Sequence, residues 1–197
     1  MKLSEFKKKM KKPFFTWAEA CRVAWATSPE VLRLNLFNWR KKGELLLLKR
    51  GRYLFPDIPV SKTDISSFLY APSYLSLEWA LHHYGVLPDV VFSMTSVSTR
   101  GSRRFRTPLG EFIYHKIEKD FFWGFHPESH VAFLEKALVD YFYFYSGRLL
   151  PEPSFWKEMR WQNLDQIQFA KAKEFARRLG VKKLEVLVRS LEKYAKA

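Results

Sequence analysis

The sequence has a single cysteine, Cys21, which excludes a disulfide within the chain and suits a reducing compartment, so a cytoplasmic location is expected. Long apolar runs are also missing. Leu45 to Leu48 is the longest uncharged one near the start, far below the ~20 residues of a membrane span, and the mean hydropathy is slightly negative at −0.27. Lys7-Lys8-Lys9 and Lys11-Lys12 are followed by neither an apolar stretch nor a small-residue cleavage site, so no secretory leader and no membrane partner are expected. There is no glycine-rich phosphate loop and no Gly-x-Ser-x-Gly elbow.

Catalytic groupings are equally sparse. Cys21 falls inside an expected helix with no neighbouring histidine to activate it. His126 and His130 have the spacing of helical metal ligands, but Pro127 lies between them and no third ligand stands out. His82 and His83 are adjacent and do not share a helix face. Glu135 and Asp140 lie on an apolar helix, where a buried charge network with Lys136 or a nearby arginine is favoured over an acid pair. No enzyme activity, cofactor or metal is expected.

What the chain does have is positive charge and aromatic mass. Of its residues 47% are hydrophobic and 17% aromatic, enough to bury a proper core. The net charge of +14 is uneven: residues 1–60 carry 14 Lys/Arg against 5 Asp/Glu, residues 61–164 are neutral, and residues 165–197 carry 9 against 4. Basic ends of this kind favour a polyanion, because each phosphate neutralised releases condensed counterions. The aromatics of Phe121 to Phe125 and Tyr141 to Tyr145 sit in apolar runs with few basic neighbours, which favours core over base stacking.

Hydrophobic spacing divides residues 1–60 into helix, helix, helix and hairpin. Leu3, Phe6 and Met10 mark a first helix stopped by Pro13. Thr16 with Glu19 predicts a capping box for a second. Ser28-Pro29 starts a third, with Leu32, Leu36 and Trp39 as its buried stripe and Gly43 after its end. Leu45–Lys49 and Arg52–Phe55 then read as strands turning at Arg50-Gly51, and Pro56 and Pro59 as a linker. That order is a winged helix-turn-helix, with the third helix for the major groove of double-stranded operator DNA and the hairpin as wing.

The candidate DNA-binding residues follow from their chemistry. Ser28 and the first helical amides suit a phosphate. Arg33 can take guanine and Asn38 adenine, with Asn35 a weaker candidate nearer the stripe. Arg40, Lys41 and Lys42 suit the backbone, as do Lys49, Arg50 and Arg52 in the wing.

Residues 61–197 read as a mixed α+β domain ending in two basic helices, making the whole chain α+β with two domains. Its expected elements are a helix over Leu75 to Tyr84, strands over Val90 to Val97, Phe112 to Ile117 and Phe121 to Phe125, and a buried helix over Val131 to Tyr145. A loop around Pro151 and Pro153 follows, then helices over Asp165 to Leu179 and from Val181 to about Ala195. Arg100, Arg103, Arg104 and Arg106 cluster in a segment expected to be an exposed loop, either a second nucleic-acid surface, an antitoxin surface or merely solvated. Lys171, Lys173, Arg177, Arg178, Lys182, Lys183 and Arg189 of the last two helices read either as a nucleic-acid-facing patch or, by default, as the solvated face of an amphipathic pair.

Four blocks carry a resemblance: Arg40-Lys41-Lys42-Gly43-Glu44-Leu45 leading into Lys49-Arg50-Gly51-Arg52-Tyr53; Ala71-Pro72-Ser73-Tyr74-Leu75-Ser76-Leu77-Glu78-Trp79-Ala80-Leu81 followed by Tyr84-Gly85; Thr107-Pro108-Leu109-Gly110-Glu111-Phe112; and Glu135-Lys136-Ala137-Leu138-Val139-Asp140. In this order they resemble the AbiEi-type antitoxin family, the regulator half of type IV toxin–antitoxin pairs. The resemblance implies an N-terminal domain that represses its own operon and a C-terminal domain that opposes a nucleotidyltransferase-type toxin without a stable complex. It leaves the protein a monomer in solution or a cooperative assembly on DNA. The alternative is a stand-alone winged-helix repressor whose second domain senses a signal or oligomerises.

Overall fold

A computed structural model describes residues 1–88 and 91–197. The chain starts with α1 (Leu3–Met10), β1 (Phe14–Thr16), α2 (Trp17–Val23) and α3 (Pro29–Lys41), followed by the hairpin β2 (Leu46–Lys49) and β3 (Arg52–Leu54). The three strands form an antiparallel sheet in the order β1-β3-β2. Local chemistry sets the helix starts. Thr16 accepts from the Glu19 amide while the Glu19 carboxylate accepts from the Thr16 amide, and Ser28 caps α3 with Pro29 at the first helical position. Phe6, Phe15, Trp39 and Phe55 fill the centre; the Phe6 ring lies 5.3 Å from Phe15 and 5.2 Å from Trp39.

The second part runs α4 (Lys62–Leu69), β4 (Ser73–Leu75), α5 (Leu77–His83), β5 (Ser93–Ser98), β6 (Arg103–Thr107), β7 (Gly110–Lys116), α6 (Leu134–Tyr145), α7 (Pro153–Glu158), α8 (Phe169–Arg178) and α9 (Lys182–Ala195). Its sheet has the order β4-β5-β7-β6, with β5 and β7 parallel and the outer pairs antiparallel. The fold is thus mixed α+β with two small sheets. No helix among the described residues is long and apolar enough to cross a membrane.

Two hydrophobic clusters exist, but they do not divide at residue 60. Leu48 and Leu54 of the hairpin belong to the second cluster, whereas Leu45 and Phe55 belong to the first. A two-residue side-chain alternation sends neighbouring strand residues to opposite faces. The hairpin therefore has one face in each core.

Several elements differ from the spacing-based expectation. The helix expected from Leu75 starts at Leu77, because Tyr74 and Leu75 pair with Val97 and Ser96 as strand β4. The strand expected from Val90 is described from Ser93, and Val90 itself lies outside the described residues. The arginine-rich segment is a loop only over residues 100–102. Arg103–Thr107 is an edge strand paired along β7, and charged side chains are at home on a sheet edge. Phe121–Phe125 forms no strand: a 3₁₀ turn over Lys119–Phe121 is followed by irregular chain, with only Phe125 bridging Ala132. Helix α7 starts at Pro153 within the expected loop, using proline at the first helical position.

Helix α6 is buried nearly all round, and it carries charge into the core. Lys136 and Asp140, both with fully buried side chains, form an ion pair. Tyr74 and Ser76 donate to the same Asp140 oxygen at 2.9 and 2.8 Å, and the Lys136 ammonium donates to the Tyr74 hydroxyl. Burial, opposed by the Asp140 charge, lowers the Lys136 ammonium, while burial beside Asp140 raises the Tyr74 phenol. Removing one partner strands the other charge in a dry core. Lys136→Met is expected to lower stability by about 3–5 kcal/mol, and Lys136→Met with Asp140→Leu to recover part of that, both read from urea unfolding. A loss no greater than that of a surface substitution would show that the pair holds nothing together.

Candidate nucleic-acid interface

Helix α3 buries Leu32, Leu36 and Trp39, so the residues between them must face outward. Arg33, Asn38, Arg40, Lys41 and Lys42 are all exposed. Asn35 is half buried beside the stripe, and its Nδ2 has no hydrogen-bond partner among the described residues. Ser28 uses its hydroxyl on the Val31 amide at 3.4 Å, and Glu30 adds a negative charge to the first turn, 3.8 Å from Arg33.

The hairpin turn and α3 meet at a cleft of about 300 Å³ lined by Trp17, Arg33, Arg50, Gly51 and Tyr53. Gly51 has φ of +74°, a conformation that suits a tight turn and that L side chains adopt at a cost. Its carbonyl accepts from the Trp17 amide at 2.8 Å, which ties the turn to the start of α2. The Arg33 guanidinium lies 5.1 Å from the Trp17 ring. Arg33 and Arg50, separate in sequence, thus present two cations at one exposed cleft. Arg40 and Lys41 line another cleft of about 480 Å³ with Phe37, Leu45, Leu46 and Pro108.

Lys49 and Arg52, expected at the exposed wing tip with Arg50, sit elsewhere. The Lys49 ammonium lies 4.5 Å from the Phe105 ring and 5.5 Å from that of Tyr70, and the Arg52 guanidinium lies 4.8 Å from Phe68. Burial, then the charges of Arg52 and Arg100, lowers Lys49; burial also lowers Arg52. The reason is the hairpin's second face, which packs on α4 and β6 and offers these cations aromatic faces instead of water. These two are docking residues between the two parts of the chain.

The arginine cluster is similarly occupied. Arg104 and Arg106 lie 3.6 and 3.3 Å from Glu111, and Arg100 donates to the Ala71 carbonyl at 3.2 Å over the Tyr70 ring. Arg103 is exposed and makes no ion pair among the described residues. In α8 and α9, Lys171 pairs with Glu135, Lys173 with Glu192, and Arg177 and Arg189 with Glu185.

The sequence reading did not pick out the outward apolar residues of α3. Leu34 and Phe37 are 58% and 57% exposed, and Trp25 in the turn before α3 is 84% exposed. The helical period alone carried the signal, since both fall opposite Leu32, Leu36 and Trp39. Compared with models of known protein families and with characterised proteins, the chain matches none.

Because Lys49 docks and Arg50 does not, the two separate in a stability measurement. Lys49→Gln is expected to lower stability by about 0.5–1 kcal/mol, with Arg50→Gln near neutral by thermal unfolding. Equal effects would remove the distinction.

Proposed function

We propose that the first part of the chain is a winged helix-turn-helix that binds duplex DNA, with α3 in the major groove and the β2–β3 turn on the backbone. The convergence of Arg33 and Arg50 on one exposed cleft carries this reading, since a reading helix and a wing must present cations to the same duplex. The strand order β1-β3-β2 behind three helices supports it. On α3, Asn38 offers an amide for adenine, Lys41 and Lys42 offer charge for phosphates, and Leu34 and Phe37 offer apolar contact for thymine methyls.

We further propose that the protein is a self-repressing antitoxin of the AbiEi type, opposing a nucleotidyltransferase-type toxin. The resemblance in sequence supports this, and its blocks have a physical logic. Tyr74 and Ser76 from one block hydrogen-bond Asp140, which pairs with Lys136, from another. These motifs thus build the second core, and they speak to its fold before its activity. The stand-alone repressor with a sensing second part is favoured by a different observation, a largely apolar cleft of about 550 Å³ on the second sheet.

Gel shifts on the DNA upstream of its own gene test the first proposal. Arg33→Ala and Arg50→Ala should each cost about 1–3 kcal/mol of binding, and loss of a phosphate contact should reduce the salt slope by about one. Asn38→Ala should relax sequence preference. If the Arg33→Ala, Arg50→Ala double variant binds as the unaltered chain does, the interface is misplaced. For the second proposal, that double variant of the full chain is co-expressed with a nucleotidyltransferase-type toxin. It should lose repression yet still rescue growth; no rescue by the unaltered chain would count against antitoxin activity.

A further inference from the structure

Strands β2 and β3 place Lys49 directly opposite Arg52. Like charges in that position repel each other. Docking of the second part adds cations to this pair instead of relieving it. The guanidinium of Arg100, just past β5, lies 5.1 Å from the same Tyr70 ring that the Lys49 ammonium approaches at 5.5 Å. Arg103 stands two residues before Phe105 on β6, on the face that the Lys49 ammonium covers. Four cations thus collect where the two parts of the chain meet.

No acid answers them. None of the four is within ion-pair distance of a carboxylate among the described residues. The Glu19 charge favours the Arg52 cation, but its carboxylate already accepts from the Thr16 amide and hydroxyl and pairs with Lys12. Burial lowers Lys49, and the charges of Arg52 and Arg100 lower it further. The Lys49 ammonium and the Arg52 guanidinium donate no side-chain hydrogen bond among the described residues, and Arg100 gives one, to the Ala71 carbonyl. The rings of Phe68, Tyr70 and Phe105 hold these cations by ring faces, which leaves N–H donors free. Lys49 and Arg52 are half-buried while Arg100 and Arg103 are exposed, so solvent reaches the group. Fixed donors of one sign, partly stripped of water, match an oxyanion with several charges, and guanidinium groups take phosphate oxygens in pairs.

We propose that Lys49, Arg52, Arg100 and Arg103 form a phosphate-binding site at the junction of the two parts, separate from the cleft of Arg33 and Arg50. The phosphate belongs either to a free oligophosphate or to the backbone of a bound duplex. An anion there offsets the repulsion across the junction and so stabilises the docked arrangement. The site does not rest on DNA reading by α3.

Pyrophosphate is the probe, on the full chain carrying Arg33→Ala and Arg50→Ala so that the other cleft is out of play. At about 10 mM it is expected to raise Tm by about 3–6 °C over sodium chloride of equal ionic strength, as a Kd on the order of 1 mM requires. Arg100→Gln, at an exposed position, should weaken pyrophosphate about tenfold. Adding Lys49→Gln should abolish the rise, with circular dichroism unchanged. Gel shifts with Arg33 and Arg50 restored separate the two sources. A salt slope reduced by about two in the Lys49→Gln, Arg100→Gln variant assigns the phosphate to a bound duplex. An unaltered slope, or no duplex binding by any variant, assigns it to a free oligophosphate. A Tm rise no greater than chloride gives, or one undiminished by Arg100→Gln, would overturn the proposal. Arg100→Gln alone decides the matter even if the variant that also carries Lys49→Gln fails to fold.

Discussion

The second part of the molecule is organised around a buried ion pair. Lys136 and Asp140, one turn apart on α6, leave water together, and Coulomb attraction alone does not offset that desolvation. The surroundings supply the rest. Tyr74 and Ser76 give Asp140 two further donors, and the rings of Tyr74 and Trp123 lie 5.4 and 5.0 Å from the Lys136 ammonium. The lysine stem needs space as well. Gly124 has φ of +79°, and a Cβ there would stand 2.9 Å from Lys136 Cγ. The irregular chain from Phe122 to Phe125, an aromatic run without regular structure, follows from this need: it wraps a charged side chain where a strand would leave it uncovered. Because β4, the start of α5, and α6 all contribute atoms, the pair fixes their mutual placement.

The β2–β3 hairpin imposes the second constraint. Its residues alternate between two cores, so the first part of the chain cannot rotate freely on the second without exposing Leu48 and Leu54. Phe14 packs against Phe68 with ring centroids 4.5 Å apart in the same contact, and Lys49 and Arg52 lie over rings of β6 and α4. A hairpin held this way is a rigid support for its turn. Arg50 and Gly51 project from it at a position set by the second part of the chain as much as by the first. The proline-rich stretch after Phe55 links two parts that pack on opposite faces of the hairpin.

The starts of α2 and α3 were the most legible features of the sequence because they depend on a few adjacent residues. Thr16-x-x-Glu19 and Ser28-Pro29 formed the caps that their chemistry predicts, and Leu32, Leu36 and Trp39 form the buried stripe. The burial of α6 and the pairing of Asp140 with Lys136 were legible for the same reason: an apolar helix has nowhere else to put a carboxylate. Short strands and the second face of the hairpin were hidden. Tyr74-Leu75 looks helical until Val97 and Ser96 are placed opposite it, and Arg103–Thr107 looks like a solvated loop until β7 pairs with it. Periodicity records which side of an element is apolar. It does not record what lies across from a cation, so Lys49 and Arg50, adjacent and both basic, read alike and behave differently.

The same distinction decides what the positive charge can do. A count of lysines and arginines treats every cation as available to a phosphate, but counterion release requires cations that still face solvent. In β6 and in α8 and α9 much of the charge is committed: Glu111 holds Arg104 and Arg106, Glu185 holds Arg177 and Arg189, and Glu192 holds Lys173. Exposed pairs of this kind add little to stability, yet each one lowers the field a polyanion meets. Arg40, Lys41, Lys42 and Arg50, by contrast, are exposed and make no ion pair among the described residues. Among the candidate DNA-contacting residues, the cations that face solvent unpaired therefore lie at the end of α3 and in the β2–β3 turn, on a hairpin whose other cations, Lys49 and Arg52, lie over aromatic rings.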